Sequence, residues 1–286
     1  MTSPEDAGLC LVTGGSSGIG LAACHALARR GYHIVLTSRS QGRADRARRA
    51  ILAAHPKARV EAATLDFECL DDVRRFADQF QRNHRALRVL ISNAGAVYPR
   101  RRVTTDGFEA QLAVIHLGPF LLTQRLLPLL RAGTPARIVN VVSDLHKGAH
   151  LDWGDLPMGR RYNFLTSYRQ AELLKVLYTY ALARRLGNSG VTANGVHPGG
   201  VRTRLFREFR GPFGGLWWLS GWLKKGPHAG AKGLVYLASD PGAAVHNGGY
   251  FHGTRPCKSS RTSYDPALQA RAWRISADLV GWEAED

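Results

Sequence analysis

This chain is short of acidic residues, short of cysteine, and has no long unbroken apolar run. The longest apolar stretches, around 9–13 and 120–130, are too short or too interrupted to read as membrane spans. Its first six residues, Met1-Thr2-Ser3-Pro4-Glu5-Asp6, are acidic and polar, so no secretory leader is expected there. The four cysteines, Cys10, Cys24, Cys69 and Cys257, have neither disulfide-framework nor metal-ligand spacing. They are expected to be free thiols in a reducing, cytoplasmic setting, with no metal site.

The shortage of acid leaves 39 Lys and Arg against 22 Asp and Glu, a formal charge of +17. Such a surplus suits nucleic acid, an anionic membrane surface or an acidic cofactor. The basic residues are spread over 46–49, 100–102, 202–210 and Lys224-Lys225, and no segment interleaves them with aromatics as a strand-binding platform would. No nucleic-acid partner is therefore expected, and most of the arginines read as solvated helix faces.

What is present is a regular alternation. Short apolar runs at 9–13, 33–37, 60–65, 89–92, 137–142, 191–196 and 250–251 read as strands. Helical periodicity occupies 19–30, 43–55, 70–84, 108–130, 167–186 and 230–238, with a helical tail within 264–286. Strands alternating with helices imply an α/β fold, a doubly wound parallel sheet with helices on both faces, in one domain over 1–286. Residues 205–228 break the pattern with aromatics and glycines.

The first strand runs into Thr13-Gly14-Gly15-Ser16-Ser17-Gly18-Ile19-Gly20 and then a helix. Glycines there allow a tight turn and close backbone approach, and the helix N-terminus offers unpaired N–H groups to a pyrophosphate. Gly14, Ser16, Ser17, Gly18, Ile19 and Gly20 are thus candidates for a dinucleotide cradle. The second strand ends in Thr37-Ser38-Arg39 rather than in a carboxylate. A carboxylate would take the adenosine ribose hydroxyls and repel a 2′-phosphate. Ser38 and Arg39 favour NADP(H), because a guanidinium pairs with phosphate through a planar fork. Asp66 is expected to accept from the adenine amino group, and Asn93-Ala94-Gly95 to let the backbone pass close to the ribose.

Together with Ser143, Tyr168 and Pro198-Gly199 followed by Thr203, these residues resemble the short-chain dehydrogenase/reductase family along essentially the whole chain. His116-Leu117-Gly118, Phe120-Leu121-Leu122-Thr123, 181–186 and Val196-His197-Pro198-Gly199 resemble its retinol dehydrogenase-like branch most. The resemblance implies a Rossmann-type fold and a site of four residues. A tyrosine passes the proton, a serine orients the substrate oxygen, a lysine holds the nicotinamide ribose and lowers the tyrosine pKa, and an asparagine holds a relay water. Pro198, Gly199, Val201 and Thr203 would lie along the nicotinamide end.

Ser143 and Tyr168 match that pattern; Ile115 stands at the asparagine position and Glu172 at the lysine position. Tyr168 and residue 172 share one helix face, a turn apart. Lys175 is two turns from Tyr168, a rise of about 10 Å, and is not expected to bridge to it. Lys147 and His146, after the strand that ends near Ser143, are the better substitutes for the cation. An ammonium about 5 Å from a phenol, or a carboxylate in its place, is worth roughly 3 kcal/mol in opposite senses. Tyr168 should therefore remain a neutral phenol, a competent general acid and a poor general base, with Glu172 accepting from ribose hydroxyls or itself protonated.

The expected activity is NADPH-dependent reduction of a carbonyl on a hydrophobic or polycyclic small molecule. Two alternatives stand beside it: a non-redox isomerase or cyclase using Tyr168 and Glu172 as acid and base, and a cofactor-binding protein without chemistry. Phe206, Phe209, Phe213, Trp217, Trp218 and Trp222 in 205–228 suit a lid over the pocket. They could equally serve as core, or as a membrane contact through 217–225. Asp152, Trp153, Asp155 and Tyr162 are candidates for the same pocket. The chain would act as a monomer or homo-oligomer, pairing in the latter case through the two long helices.

Overall fold

A computed structural model describes residues 7–201 and 225–283. Thr203 and most of the aromatic segment, 205–224, lie outside the described residues. Seven parallel strands and one antiparallel edge strand form a single sheet in the order β3-β2-β1-β4-β5-β6-β7-β8. The strands are β1 (Leu9–Val12), β2 (His33–Ser38), β3 (Val60–Thr64), β4 (Val89–Ser92), β5 (Ala136–Val141), β6 (Val191–His197), β7 (Tyr250–His252) and β8 (Arg255–Pro256). Strand order reverses on either side of β1 and β4, which opens a crevice beyond their C-terminal ends.

Because helices cover both faces, strand residues feed two cores in alternation. Leu9, Leu11, Leu90 and Ile138 join the cluster beneath α3 (Leu70–Asn83), the long helix α4 (Ala110–Ala132), α5 (Phe164–Leu186) and α7 (Pro266–Val280). Cys10, Val12, Val89, Ile91 and Val139 point the other way, under α1 (Gly18–Ala28), α2 (Gln41–Ala54) and α6 (Pro227–Ser239). Period-two alternation in a doubly covered sheet explains why the strands read as unbroken apolar runs.

Helix α4 has the length and apolarity of a membrane span, which its interrupted runs did not suggest. It is almost wholly buried, packed against α3, α5 and α7, and is a core helix of this fold. A π-turn over Ala113–Leu117 interrupts it and brings Ile115 beneath the site. The N-terminus of α4 is fixed by Glu109, a buried carboxylate that accepts from the N–H groups of Gln111 and Leu112 at 3.0 and 2.9 Å. Its Oε2 also takes the Ser167 hydroxyl at 2.7 Å. This bond ties α4 to the first turns of α5, one residue before Tyr168.

Candidate active site

The crevice at the switch point is a cavity of about 850 Å³. Its phosphate end is built by the glycine turn. Gly14 and Gly18 hold φ of +65° and +57°, where L side chains are strained. A Cβ on Gly14 would come within 3.0 Å of the Ala94 backbone, whereas one on Gly18 would meet nothing within 4 Å. The first glycine therefore permits chain packing, and the second borders open space. The Ser17 side chain does not cap α1, so the first-turn N–H groups stay available to an anion. Asn93 clamps the loop from β4, its Nδ2 donating to the carbonyls of Thr13 and Gly14 at 2.9 and 3.3 Å. In return the Thr13 hydroxyl oxygen accepts from the N–H groups of Asn93 and Ala94 at 3.0 and 3.1 Å. The cradle is held by Asn93 and Thr13, and its glycine turn and free first-turn N–H groups fit a dinucleotide pyrophosphate.

Most residues expected at the cofactor line this cavity: Gly14, Ser16, Ser17, Gly18 and Ile19 on the turn, Ser38 and Arg39 after β2, and Asn93 and Gly95 after β4. Pro198, Gly199 and Val201 line it as well. Two others do not. Gly20 lies behind the turn, where a Cβ would strike Asn93 Nδ2 at 2.5 Å. Asp66 uses its Oδ1 to accept from the Glu68 N–H at 3.0 Å and is absent from the cavity wall. Arg39 is already engaged, pairing with the Glu68 carboxylate and lying 3.1 Å from the Tyr98 hydroxyl. Arg43, one turn into α2, also lines the cavity, a second cation that the reading of strand ends did not reach.

At the other end Ser143, Tyr168 and Glu172 come together. The Ser143 N–H donates to Glu172 Oε2 at 2.8 Å. The Ser143 and Glu172 side chains both lie close enough to the Tyr168 hydroxyl to act on its ionisation. Ile115 packs with Val97, Tyr168 and Ala171, so one side of the phenol is an apolar wall. Burial first, and the Glu172 charge second, push the Tyr168 phenol well above its usual range. The expectation from charge alone has the right sign; desolvation is the larger cause. Burial also raises the Glu172 carboxyl, against the opposing pull of Lys175 and the Ser143 N–H.

Lys175, two turns from Tyr168, has its place elsewhere in the site. It need not bridge to Tyr168, because it is only three residues from Glu172 and so on the same face. It is buried, lines the cavity, and donates from Nζ to the Ser92 carbonyl at 3.0 Å. Burial brings its pKa down to about 8, against the pull of Glu172. The other two candidate cations serve elsewhere. Lys147 pairs with Asp144 at 2.7 Å. His146 has its Nδ1 2.7 Å from the Ser143 carbonyl and its Nε2 accepting from the Ser260 N–H at 3.1 Å, and burial lowers its pKa. Both ring nitrogens being used, His146 is a strut for the Ser143 turn.

The loop between Ser143 and Tyr168 also departs from expectation. Asp152 and Asp155 cap their own turns, and Trp153 packs on the core beneath the Arg271 guanidinium. Tyr162 donates to the Tyr98 carbonyl at 2.7 Å. None of the four lines the cavity. In their place stand His197 and His252, whose rings stack at 4.4 Å. Burial lowers His197 to about 4, so it is neutral at ordinary pH.

The short chain dehydrogenase family profile matches residues 9–152, half of the chain. Human retinol dehydrogenase 13 is 38% identical over 283 residues, spanning 96% of this chain and 85% of the relative. This chain is a short-chain dehydrogenase/reductase. Its retinol dehydrogenase-like character extends to human retinol dehydrogenase 11, at 34% identity over 95% of this chain and 85% of that one. Among solved structures, an uncharacterized protein from Mycobacterium paratuberculosis superposes with a TM-score of 0.78 at 30% identity, covering 96% of this chain and 93% of that one. A Pseudomonas aeruginosa short chain oxidoreductase, solved with NADPH and described as containing an atypical catalytic center, has a TM-score of 0.68 at 25% identity, covering 85% and 94%. Membership of this family makes the chain an oxidoreductase that uses a nicotinamide cofactor and a small-molecule substrate.

Proposed function

We propose that this short-chain dehydrogenase/reductase reduces a carbonyl group on a hydrophobic small molecule with NADPH. The observation that carries the reading is the buried Tyr168 phenol on the cavity wall beside Ser143 and Glu172, which are joined through the Ser143 N–H at 2.8 Å. NADPH, when bound, supplies the hydride. Tyr168 then gives its proton to the substrate oxygen, which Ser143 orients. Glu172, with its carboxyl raised by burial, then passes a proton taken up from solvent to the tyrosine oxygen. The resulting carboxylate is stabilised by the Ser143 N–H at 2.8 Å and by the charge of Lys175. With the Glu172 carboxyl acting on it, the phenol is poorly suited to the reverse task of taking a proton from an alcohol.

Arg39 and Arg43 on the cavity wall, with no carboxylate ending β2, support NADPH over NADH. Val97, Val114, Val142 and Leu145 on the cavity wall support an apolar substrate. The names of the retinol dehydrogenases among the relatives agree with that class. The test is NADPH absorbance with a panel of hydrophobic aldehydes and ketones, repeated with NADH. Reduction should be seen, with NADH about tenfold or more less efficient, as loss of a charge-assisted phosphate contact implies. Faster oxidation of alcohols by NADP+ near neutral pH than reduction of ketones would overturn it. The closeness of Glu172 to the Tyr168 hydroxyl also supports a second reading, acid–base isomerisation or cyclisation; turnover of substrate with no change in NADPH absorbance would select it.

A further inference from the structure

We infer that Glu68 sets the strength with which this chain distinguishes a 2′-phosphorylated adenosine cofactor from an unphosphorylated one. The inference rests on the proposed meeting of Arg39 with the 2′-phosphate. Glu68 follows β3 and does not itself line the cavity; Arg39 and Tyr98, which it joins, both do. Its Oε1 accepts from Arg39 Nη1 and from the Tyr98 hydroxyl, and Arg39 Nη1 lies 3.1 Å from that same hydroxyl. The three groups form a closed triangle with one negative and one positive charge, at the edge of the crevice.

Tyr98 makes the triangle rigid. It is 1% exposed, its carbonyl accepts from the Tyr162 hydroxyl at 2.7 Å, and the Arg102 guanidinium lies 4.4 Å over its ring. Burial, with Glu68 as its hydrogen-bond acceptor, pushes its phenol up to about 12, so it stays a donor to the carboxylate. Glu68 is further fixed at the backbone, where its N–H donates to Asp66. The carboxylate is thus pinned beside Arg39 from two sides.

Glu68 therefore occupies part of the guanidinium that a phosphate would use. An incoming 2′-phosphate meets a cation already shared with a carboxylate, and then sits near that carboxylate. The arrangement keeps Arg39 oriented in the absence of ligand, at a cost in phosphate affinity. A ribose with a free 2′-hydroxyl brings no second anion and is not penalised. Arg39 and Glu68 are 31% and 23% exposed, so solvent screens the repulsion and the effect is moderate.

The test is calorimetric titration of the full chain and its Glu68→Gln variant with NADP+, NAD+ and adenosine 2′,5′-bisphosphate. The amide oxygen of glutamine keeps the acceptor for Tyr98 and removes only the charge. The variant should bind the two 2′-phosphorylated ligands about five- to tenfold more tightly, the scale of one screened charge contact, with NAD+ changed by less than about twofold. Tyr98→Phe, which frees Glu68 to swing away, should move the same ratio in the same direction by less. It serves in its own right should Glu68→Gln fold poorly. If the wild type prefers NAD+ and Glu68→Gln moves it towards NADP+, the cofactor proposal fails and the role of Glu68 stands. If both variants leave the NADP+ to NAD+ ratio unchanged or lower it, Glu68 is only a strut for Arg39 and the inference is overturned.

Discussion

The two ends of the cavity each hold a carboxylate near a cation, and they do so in opposite surroundings. At the adenosine end, Glu68 and Arg39 touch directly, with about a quarter of each side chain in solvent. At the proton end, Glu172 and Lys175 are 6% and 2% exposed, and each has turned to another partner, the Ser143 N–H and the Ser92 carbonyl. Direct contact in water is worth little, because screening and side-chain entropy offset the attraction. Charges in a dry site interact strongly even without touching, and removal of one leaves the other uncompensated. Geometric closeness is thus a poor guide to which pair governs the chemistry; burial decides.

The largest break of that comparison should come at Tyr168. Tyr168→Phe should lower NADPH-dependent reduction by roughly 10³-fold, within the range for losing a general acid, while NADPH binding, read by cofactor fluorescence, changes little. A variant that keeps most of its activity would move the acid elsewhere, with Glu172 the next group to test.

Stability should separate the two pairs directly. Lys175→Met strands the Glu172 carboxyl and should lower unfolding free energy by about 3 kcal/mol, read from the denaturant midpoint. Adding Glu172→Gln should recover most of the loss. Arg39→Met, the matching deletion at the exposed pair, should cost less than about 1 kcal/mol. Equal losses at the two ends would sink the distinction drawn from burial.

Asn93→Ala removes the clamp that serves both ends through β4. About 1–2 kcal/mol of stability should go with its two bonds to Thr13 and Gly14, and dinucleotide affinity should fall for NADP+ and NAD+ alike. A selective loss of NADP+ binding would contradict a role confined to shaping the loop.

The smallest effect is in the pH profile. With Lys175 near 8, its charge is present below that pH and lost above it. Above it Glu172 no longer has a counter-charge, the carboxylate formed in the relay is less stable, and reduction should slow as pH rises through that region. Lys175→Met should abolish that inflection. A profile that rises through pH 8 would reverse the assigned sign.

Much of the fold was legible because most strands are short apolar runs bounded by turn residues, and helices such as α3 carry an apolar stripe. The π-turn in α4 and the two-residue strand β8 were not, since neither leaves a periodic signal of its own. The glycine turn, Ser143 and Tyr168 were legible as an ordered set. Lys175 carried little signal, because it lies two turns from Tyr168 and the residue it acts on is Glu172, one turn away. Glu68 and Tyr98 carried no signal, because their closeness to Arg39 comes from three separate strand ends meeting at the crevice. For the same reason Asp152, Trp153, Asp155 and Tyr162 looked like pocket residues and are instead used within their own loop or against neighbouring elements.

By itself the sequence determined the order of strands and helices, the glycine turn after the first strand, and the presence of Glu172 and Ile115 rather than a lysine and an asparagine near Tyr168. These depend on local periodicity, on glycine stereochemistry and on residue identity, all readable in one dimension. Only the tertiary structure decided the surroundings of each charge: that Arg39 is shared with Glu68, that Lys175 answers Glu172, and that Ile115 seals Tyr168 from one side. Dielectric surroundings and partner geometry arise where distant segments pack together, and it is these that set how far a charge reaches and which group gives up its proton.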